Sequence, residues 1–142
     1  MKYIMLDTET ANSIDDPLCY DIGFAVIDET GKVYAERNFV VADIYLDKEL
    51  MSSAYYAKKL PQYEEELKSG IRKMAKLSTI KKVLAQLMRE YGTNIVVAHN
   101  ARFDYRSTTK TQRYITKSEN RYFFPYGTEI WDTLKMAREV LR

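Results

Sequence analysis

The chain contains one cysteine and one histidine in 142 residues. A single thiol cannot close an internal disulfide, and one thiol with one imidazole excludes the Cys/His clusters that hold structural zinc. Cys19 therefore reads as a small, semi-buried packing residue. With only three prolines and five glycines, no stretch reads as a linker, and there is no internal repeat. No apolar run approaches the roughly 18 residues of a membrane span, and the opening "KYIML" is too short for a signal-peptide core. A cytoplasmic location with no membrane partner is the expectation. Neither sign of charge dominates, and a formal net charge of +2 is too small to mark a nucleic-acid binder by itself.

What is present is an ordinary globular mixture, 46% hydrophobic and 30% charged, which argues against disorder and fibrous structure. A chain of this length forms one domain, 1–142, and buries roughly two-thirds of its unfolded surface in one core. "KYIMLDT" (2–8) is a nearly continuous apolar strand, and "YDIGFAVID" (20–28) is a second. After the turn "ETG", "KVYAERNFVV" (32–41) pairs back as an antiparallel third strand. Residues 43–70 read as a helical connection interrupted by Pro61 and Gly70, with "EEE" (64–66) as a solvated face.

In "STIKKVLAQLMREYG" (78–92), Ser78 can cap, Ile80, Val83, Leu84, Leu87 and Met88 form the apolar stripe, and Gly92 can end the helix. "NIVVAHN" (94–100) is a buried strand, 101–116 a helix, "GTEIWDT" (127–133) a short strand and "LKMAREVL" a last helix. The order β-β-β-α-β-α-β-α predicts a mixed α/β sheet of about five strands, three antiparallel and then parallel, flanked by helices. Sites in such sheets lie at the carboxyl ends of the parallel strands.

Chemistry enters at "LDTET". Asp7 and Glu9 stand two residues apart on one strand and so share a face. Adjacent carboxylates repel each other, and a divalent cation such as Mg²⁺ or Mn²⁺ relieves that repulsion by taking both as hard oxygen ligands. A solvated strand end explains such a pair as simply. In "AHNARFD", a strand ending at Ala98 and a helix starting near Asn100 put Asp104 above the same sheet edge, since first and fourth strands of such a sheet are commonly neighbours. Three carboxylates around one cavity are the makings of a two-metal site for phosphoryl transfer.

Taken in order, "DTET", "YDIGFAVID", "AHNARFD" and "WDTLKMAR" resemble the DnaQ-like, DEDD-type 3′→5′ exonucleases, a branch of the ribonuclease H-like fold. "RYFFPYGTEIWDTLKMAR" is similar to versions carried by phages and prophages. The resemblance spans nearly the whole chain and rests on the ordered set of motifs. It implies that Asp7, Glu9 and Asp104 are catalytic metal ligands, with Asp7 bridging two Mg²⁺ or Mn²⁺ ions. It places Thr8, Thr10, His99, Asn100, Arg102 and Phe103 on the substrate side, Phe103 also packing to fix the helix that carries Asp104. The implied reaction is hydrolysis of the 3′-terminal phosphodiester of DNA by a metal-activated water, releasing nucleoside monophosphates. The implied partners are a single-stranded DNA or RNA 3′ end and a DNA polymerase or replisome.

The family closes with a further motif, a His or Tyr a few residues before a fourth acidic ligand, and this sequence has none after "WDTLKMAR". On this reading the domain is truncated at its C-terminus, holds the second ion weakly, and is a weak or inactive nuclease that self-associates through surface left bare. His99 aligns with the histidine of "AHN" at the strand end and shapes the site rather than taking a proton. Asp132 reads as a cap or first-turn charge of the final helix, not the fourth carboxylate. Arg102, Arg106, Lys110, Arg113, Lys117 and Arg121, interleaved with Tyr105, Tyr114, Tyr122 and Phe123, form either a nucleic-acid track or a solvated helix face with half-buried aromatics. Beside the exonuclease stand two other readings: an inactive ribonuclease H-like module that binds nucleic acid or a replication protein, and a metal-dependent phosphohydrolase acting on free nucleotides.

Overall fold

The computed structural model describes residues 1–54, 57–119 and 122–133, so the expected last helix, "LKMAREVL", lies outside the described residues. Strands β1 (Lys2–Ala11), β2 (Leu18–Asp28) and β3 (Val33–Val41) form an antiparallel meander. After β3 come α1 (Ala42–Tyr45), α2 (Lys48–Ser52), a 3-10 turn (Ala57–Lys59) and α3 (Leu60–Ser69). Strand β4 (Lys73–Ala75), helix α4 (Leu77–Glu90), strand β5 (Ile95–Ala98), helix α5 (Ala101–Thr116) and strand β6 (Glu129–Asp132) follow. The sheet order is β4-β3-β2-β1-β5-β6, with β4, β5 and β6 each parallel to its neighbour.

The mixed sheet is the one the sequence predicts, with six strands instead of about five. The extra strand, β4, carries Lys73, Met74 and Ala75 and shows no alternation. It exists because β3 offers it a parallel edge. Pro61 does not break the helical connection. It sits in the first turn of α3, where its missing N–H has no intrahelical partner to lose.

One face of β1 and β2 is apolar and fully covered. Ile4, Leu6, Ile22, Phe24 and Val26 are buried there with Ile80, Leu84 and Phe123. On the other face Met5, Ala25 and Ile27 are only half-buried. Phe123, read from sequence as either a stacking ring or a half-buried one, is 0% exposed and meets Phe124 edge-on at 5.2 Å. Its bulk is worth more in the core than at the surface.

Helix α4 buries Ile80, Leu84, Leu87 and Met88, four of the stripe predicted for it, and leaves Val83 half-buried. Its C-terminus is closed by Gly92 at φ 63°, with Thr93 N–H donating to the Met88 carbonyl and Gly92 N–H to that of Arg89. This is the paired pattern that a left-handed glycine permits. Its start differs from expectation. Ser78 lies inside the helix, and the Leu77 N–H donates instead to Asp43 Oδ1 of α1 at 2.8 Å. We expect Asp43→Ala to cost about 1 kcal/mol, lowering the melting midpoint by roughly 2–4 °C, with Ser78→Ala near neutral. Thermal denaturation of the two variants checks this, and a reversed ranking would show that Ser78 is the cap.

Candidate functional site

Strand β1 is central, antiparallel to β2 and parallel to β5, so its carboxyl end meets the start of α5. Asp7 is exposed and Glu9 half-buried on one face, while Thr8 between them is buried on the other. Opposite Glu9 stands Asp21, and the register slips immediately beyond this pair, so that Thr10 pairs with Cys19 and Tyr20 is passed over. A bulge here turns the end of β1 where the acidic side chains sit.

Helix α5 lies against the Thr8 side. Thr8 Oγ1 donates to Asp104 Oδ1 at 2.5 Å, and Asp104 is only 6% exposed. Burial, and after it the nearby charges of Asp7, Asp132 and Glu9, push the Asp104 carboxyl up to about 6 against the downward pull of the Thr8 hydrogen bond. Below it runs a polar seam of Ser107, Thr108 and Thr111. Thr108 and Ser107 donate to the Asp104 carbonyl, and Thr111 Oγ1 accepts the Cys19 N–H at 2.8 Å. Cys19, read as semi-buried, is wholly enclosed by this seam.

The substrate-side residues take up the following positions. His99 is exposed, with Nδ1 3.1 Å from Thr133 Oγ1. Asn100 adopts a left-handed conformation, φ 60°, as the N-cap residue of α5. Arg102 is exposed, Phe103 and Thr10 are half-buried, and Arg121 lies outside the described residues. Asp132, expected at the start of a final helix that lies outside the described residues, holds the start of α5. As the last residue of β6 it accepts the Asn100 N–H through Oδ1 at 3.0 Å and so secures the start of α5. The parallel pairing of β5 with β6 brings Asp132 to that helix end.

Sequence reasoning did not assign Asp21 a role. It is 6% exposed and accepts two hydrogen bonds from one Arg72 nitrogen, each 2.9 Å, and one from Tyr63 Oη at 2.7 Å. Arg72 also donates to Glu66 and lies 4.8 Å from the Tyr63 ring centre. Burial raises the Asp21 carboxyl, while Tyr63 and Arg72 pull it back. Asp21, the one carboxylate inside the apolar run "YDIGFAVI", was the available signal, because a buried charge needs a partner.

The donors suit a hard divalent cation. Glu9 is raised first by burial and then by the charges of Asp7 and Asp21, a repulsion that bound Mg²⁺ or Mn²⁺ would relieve. Asp7 borders a cavity of about 250 Å³ together with Asp21, Asn38 and Arg72. Neither Glu9 nor Asp104 lines that cavity, so the expected ring of three carboxylates around one hollow is not drawn together there. Among the described residues no three His, Cys, Asp or Glu side chains form a group that could hold a metal ion.

No family model matches the sequence, and no curated protein matches it. Solved structures do match the fold. The metal-free complex of Escherichia coli exonuclease I with single-stranded DNA gives a TM-score of 0.58 at 16% identity, covering 99% of this chain and 30% of that one. The same enzyme bound to a 5cy-dA13 oligonucleotide gives 0.57 at 17% identity, and bound to dA16 gives 0.57 at 16%, with the same coverage. This chain thus shares the mixed α/β fold of the matched part of those solved chains and spans about 30% of their length.

Proposed function

We propose that this chain is a divalent-metal-dependent 3′→5′ exonuclease of the DnaQ-like type, acting on single-stranded DNA ends and slow as the 142-residue chain. The observation that carries the reading is the Thr8–Asp104 hydrogen bond. It fastens the helix of "AHNARFD" to the strand of "LDTET", between that strand's two carboxylates. The likeness of fold to an exonuclease bound to single-stranded DNA supports it.

Asp7, Glu9 and Asp104 would hold Mg²⁺ or Mn²⁺, which when bound supplies Lewis-acid stabilisation and a more acidic water. The chain's own contribution is positional. Thr8 orients Asp104, Asp132 holds the first N–H of the α5 terminus, and the Asp21–Arg72 pair stands behind Glu9. Arg102, exposed in the first turn of α5, offers a cation to the strand's phosphates. No described residue supplies the family's closing motif, and loss of a general base typically costs roughly 10²–10⁴-fold in rate.

A second reading, a nucleic-acid-binding module without activity, is favoured by one observation. Asp7, Glu9 and Asp104 are not gathered into one three-carboxylate group among the described residues.

A time course on 5′-labelled single-stranded DNA with Mn²⁺, comparing the chain with Asp7→Ala, separates the two. A slow ladder of one-nucleotide steps that vanishes in the variant supports the exonuclease. Full-length DNA in both, with binding retained, supports the module.

A further inference from the structure

Residues 125–128 form a tight turn with an aromatic ring at its tip. The Thr128 N–H donates to the Pro125 carbonyl at 3.2 Å, and the Thr128 hydroxyl donates to the same oxygen at 2.6 Å. Gly127, at φ 84°, supplies the positive φ that the third residue of a type II turn requires. Tyr126 occupies the second position and is fully exposed. The turn fixes the backbone from which this ring projects.

Two hollows meet at Tyr126. One, of about 300 Å³, is walled by Tyr105, Tyr122, Phe124 and Ile130. The other, of about 540 Å³, is walled by Met88, Arg89 and Asn94. In the first, the Tyr105 and Phe124 rings lie nearly parallel, 8° apart with centres 6.0 Å distant, and Arg113 stands 5.9 Å from the Tyr122 ring centre. Neither hollow is lined by an acidic residue, whereas Asp7, Asp21 and Glu36 all line the cavity beside β1.

Cations stand beside both hollows, Arg113 at the Tyr122 ring and Arg89 in the wall of the second, while Arg106 and Lys110 of α5 turn to the Asp15 carbonyl and the Asp16 carboxylate. Tyr105, in the wall of the first hollow, is carried by the same helix as Asp104.

We infer that Tyr126 and the two hollows beside it form a base-stacking subsite for an unpaired nucleic-acid strand, separate from the carboxylate site and upstream of the strand's reacting end. Flat rings stack on any base because every base has a π-face, and surrounding cations follow the phosphates. A site with exposed rings, a cationic rim and no acidic lining suits a polyanion that presents π-faces. The inference rests on the reading that a single strand enters at Asp7 and Asp104.

Fluorescence anisotropy of a labelled single-stranded 20-mer in EDTA, using the full chain, tests it without turnover. Tyr126→Ala should weaken binding by roughly 5- to 150-fold, the range base–aromatic stacking spans. Tyr126→Trp should restore binding, and neither substitution should move the unfolding midpoint, because the ring is exposed. A 20-mer with abasic positions throughout should bind more weakly to the parent chain and be indifferent to Tyr126→Ala. Unchanged affinity of Tyr126→Ala for the base-bearing strand, or equal losses on both strands, overturns the subsite and leaves the exonuclease reading standing. No binding of any single strand by the parent chain overturns both.

Discussion

Arg72→Met destabilises the chain by about 3–5 kcal/mol, moving its melting midpoint down by roughly 10 °C. The reason is the carboxylate the substitution leaves behind. Asp21 is buried in β2, and two of its three hydrogen bonds come from Arg72. Removing one member of a buried pair leaves a charge that water cannot reach, a larger cost than the pair was worth.

The pH dependence has a definite sign. Burial already holds the Asp21 carboxyl above its ordinary value, and loss of Arg72 takes away a charge that lowers it. A carboxyl raised by folding contributes stability below its unfolded pKa and loses that contribution as pH rises through its folded value. The deficit of Arg72→Met is therefore deepest at neutral pH and shrinks as acid protonates Asp21. Adding Asp21→Asn should recover most of the loss at pH 7. Chemical denaturation at pH 7 and pH 5 measures this, and a loss below about 1 kcal/mol at both would mean the pair is screened like an exposed ion pair.

At pH 8 the one thiol of the native chain alkylates at least about a thousandfold more slowly than in the unfolded chain. Cys19 is 0% exposed, and burial pushes its thiol up to about 12, against the weaker pull of hydrogen bonds from Ser107 and Thr111. The thiolate is the reacting form. At pH 8 a pKa of 12 leaves about one thiol in ten thousand ionised, against about a quarter for a free thiol. Modification must then wait until α5 lifts from β2, so its rate reports the free energy of opening the seam beneath Asp104. Iodoacetamide labelling followed by mass spectrometry, with and without denaturant, gives the ratio. A native rate within tenfold of the unfolded one would show that the seam is open.

Elements whose own residues determine them were legible in the sequence. Alternation and apolar runs located β1, β2 and β3, the stripe from Ile80 to Met88 located α4, and α5 has the bounds predicted for it. Features created by distant partners were not. Lys73, Met74 and Ala75 become a strand only against β3, Leu77 takes its cap from Asp43, and Asp132 caps α5 from β6. The same holds at the candidate site. The spacing of Asp7 and Glu9 put them on one face of a strand, and the adjacency of β1 to β5, the fourth strand expected from sequence, brought Asp104 near. The Asp21–Arg72 pair, 51 residues apart, leaves no mark in local pattern. Phe123 and Tyr126 show the limit most plainly, since both lie in one aromatic stretch and only the fold decides that the first is core and the second surface.

The contact that closes the candidate site is also among the least local in the molecule. Thr8 meets Asp104 across 96 positions, and β1 reaches β5 across a similar span, whereas the meander of β1, β2 and β3 closes through short connections. Loops of that length close late, because their entropy must be met before any contact rewards it. On a ribosome, which makes the chain from its N-terminus, the first three strands can pair while α5 has yet to be synthesised. During that interval Asp7 and Glu9 stand on a formed strand without α5, and Asp104 reaches Thr8 only after the meander that carries Thr8 exists.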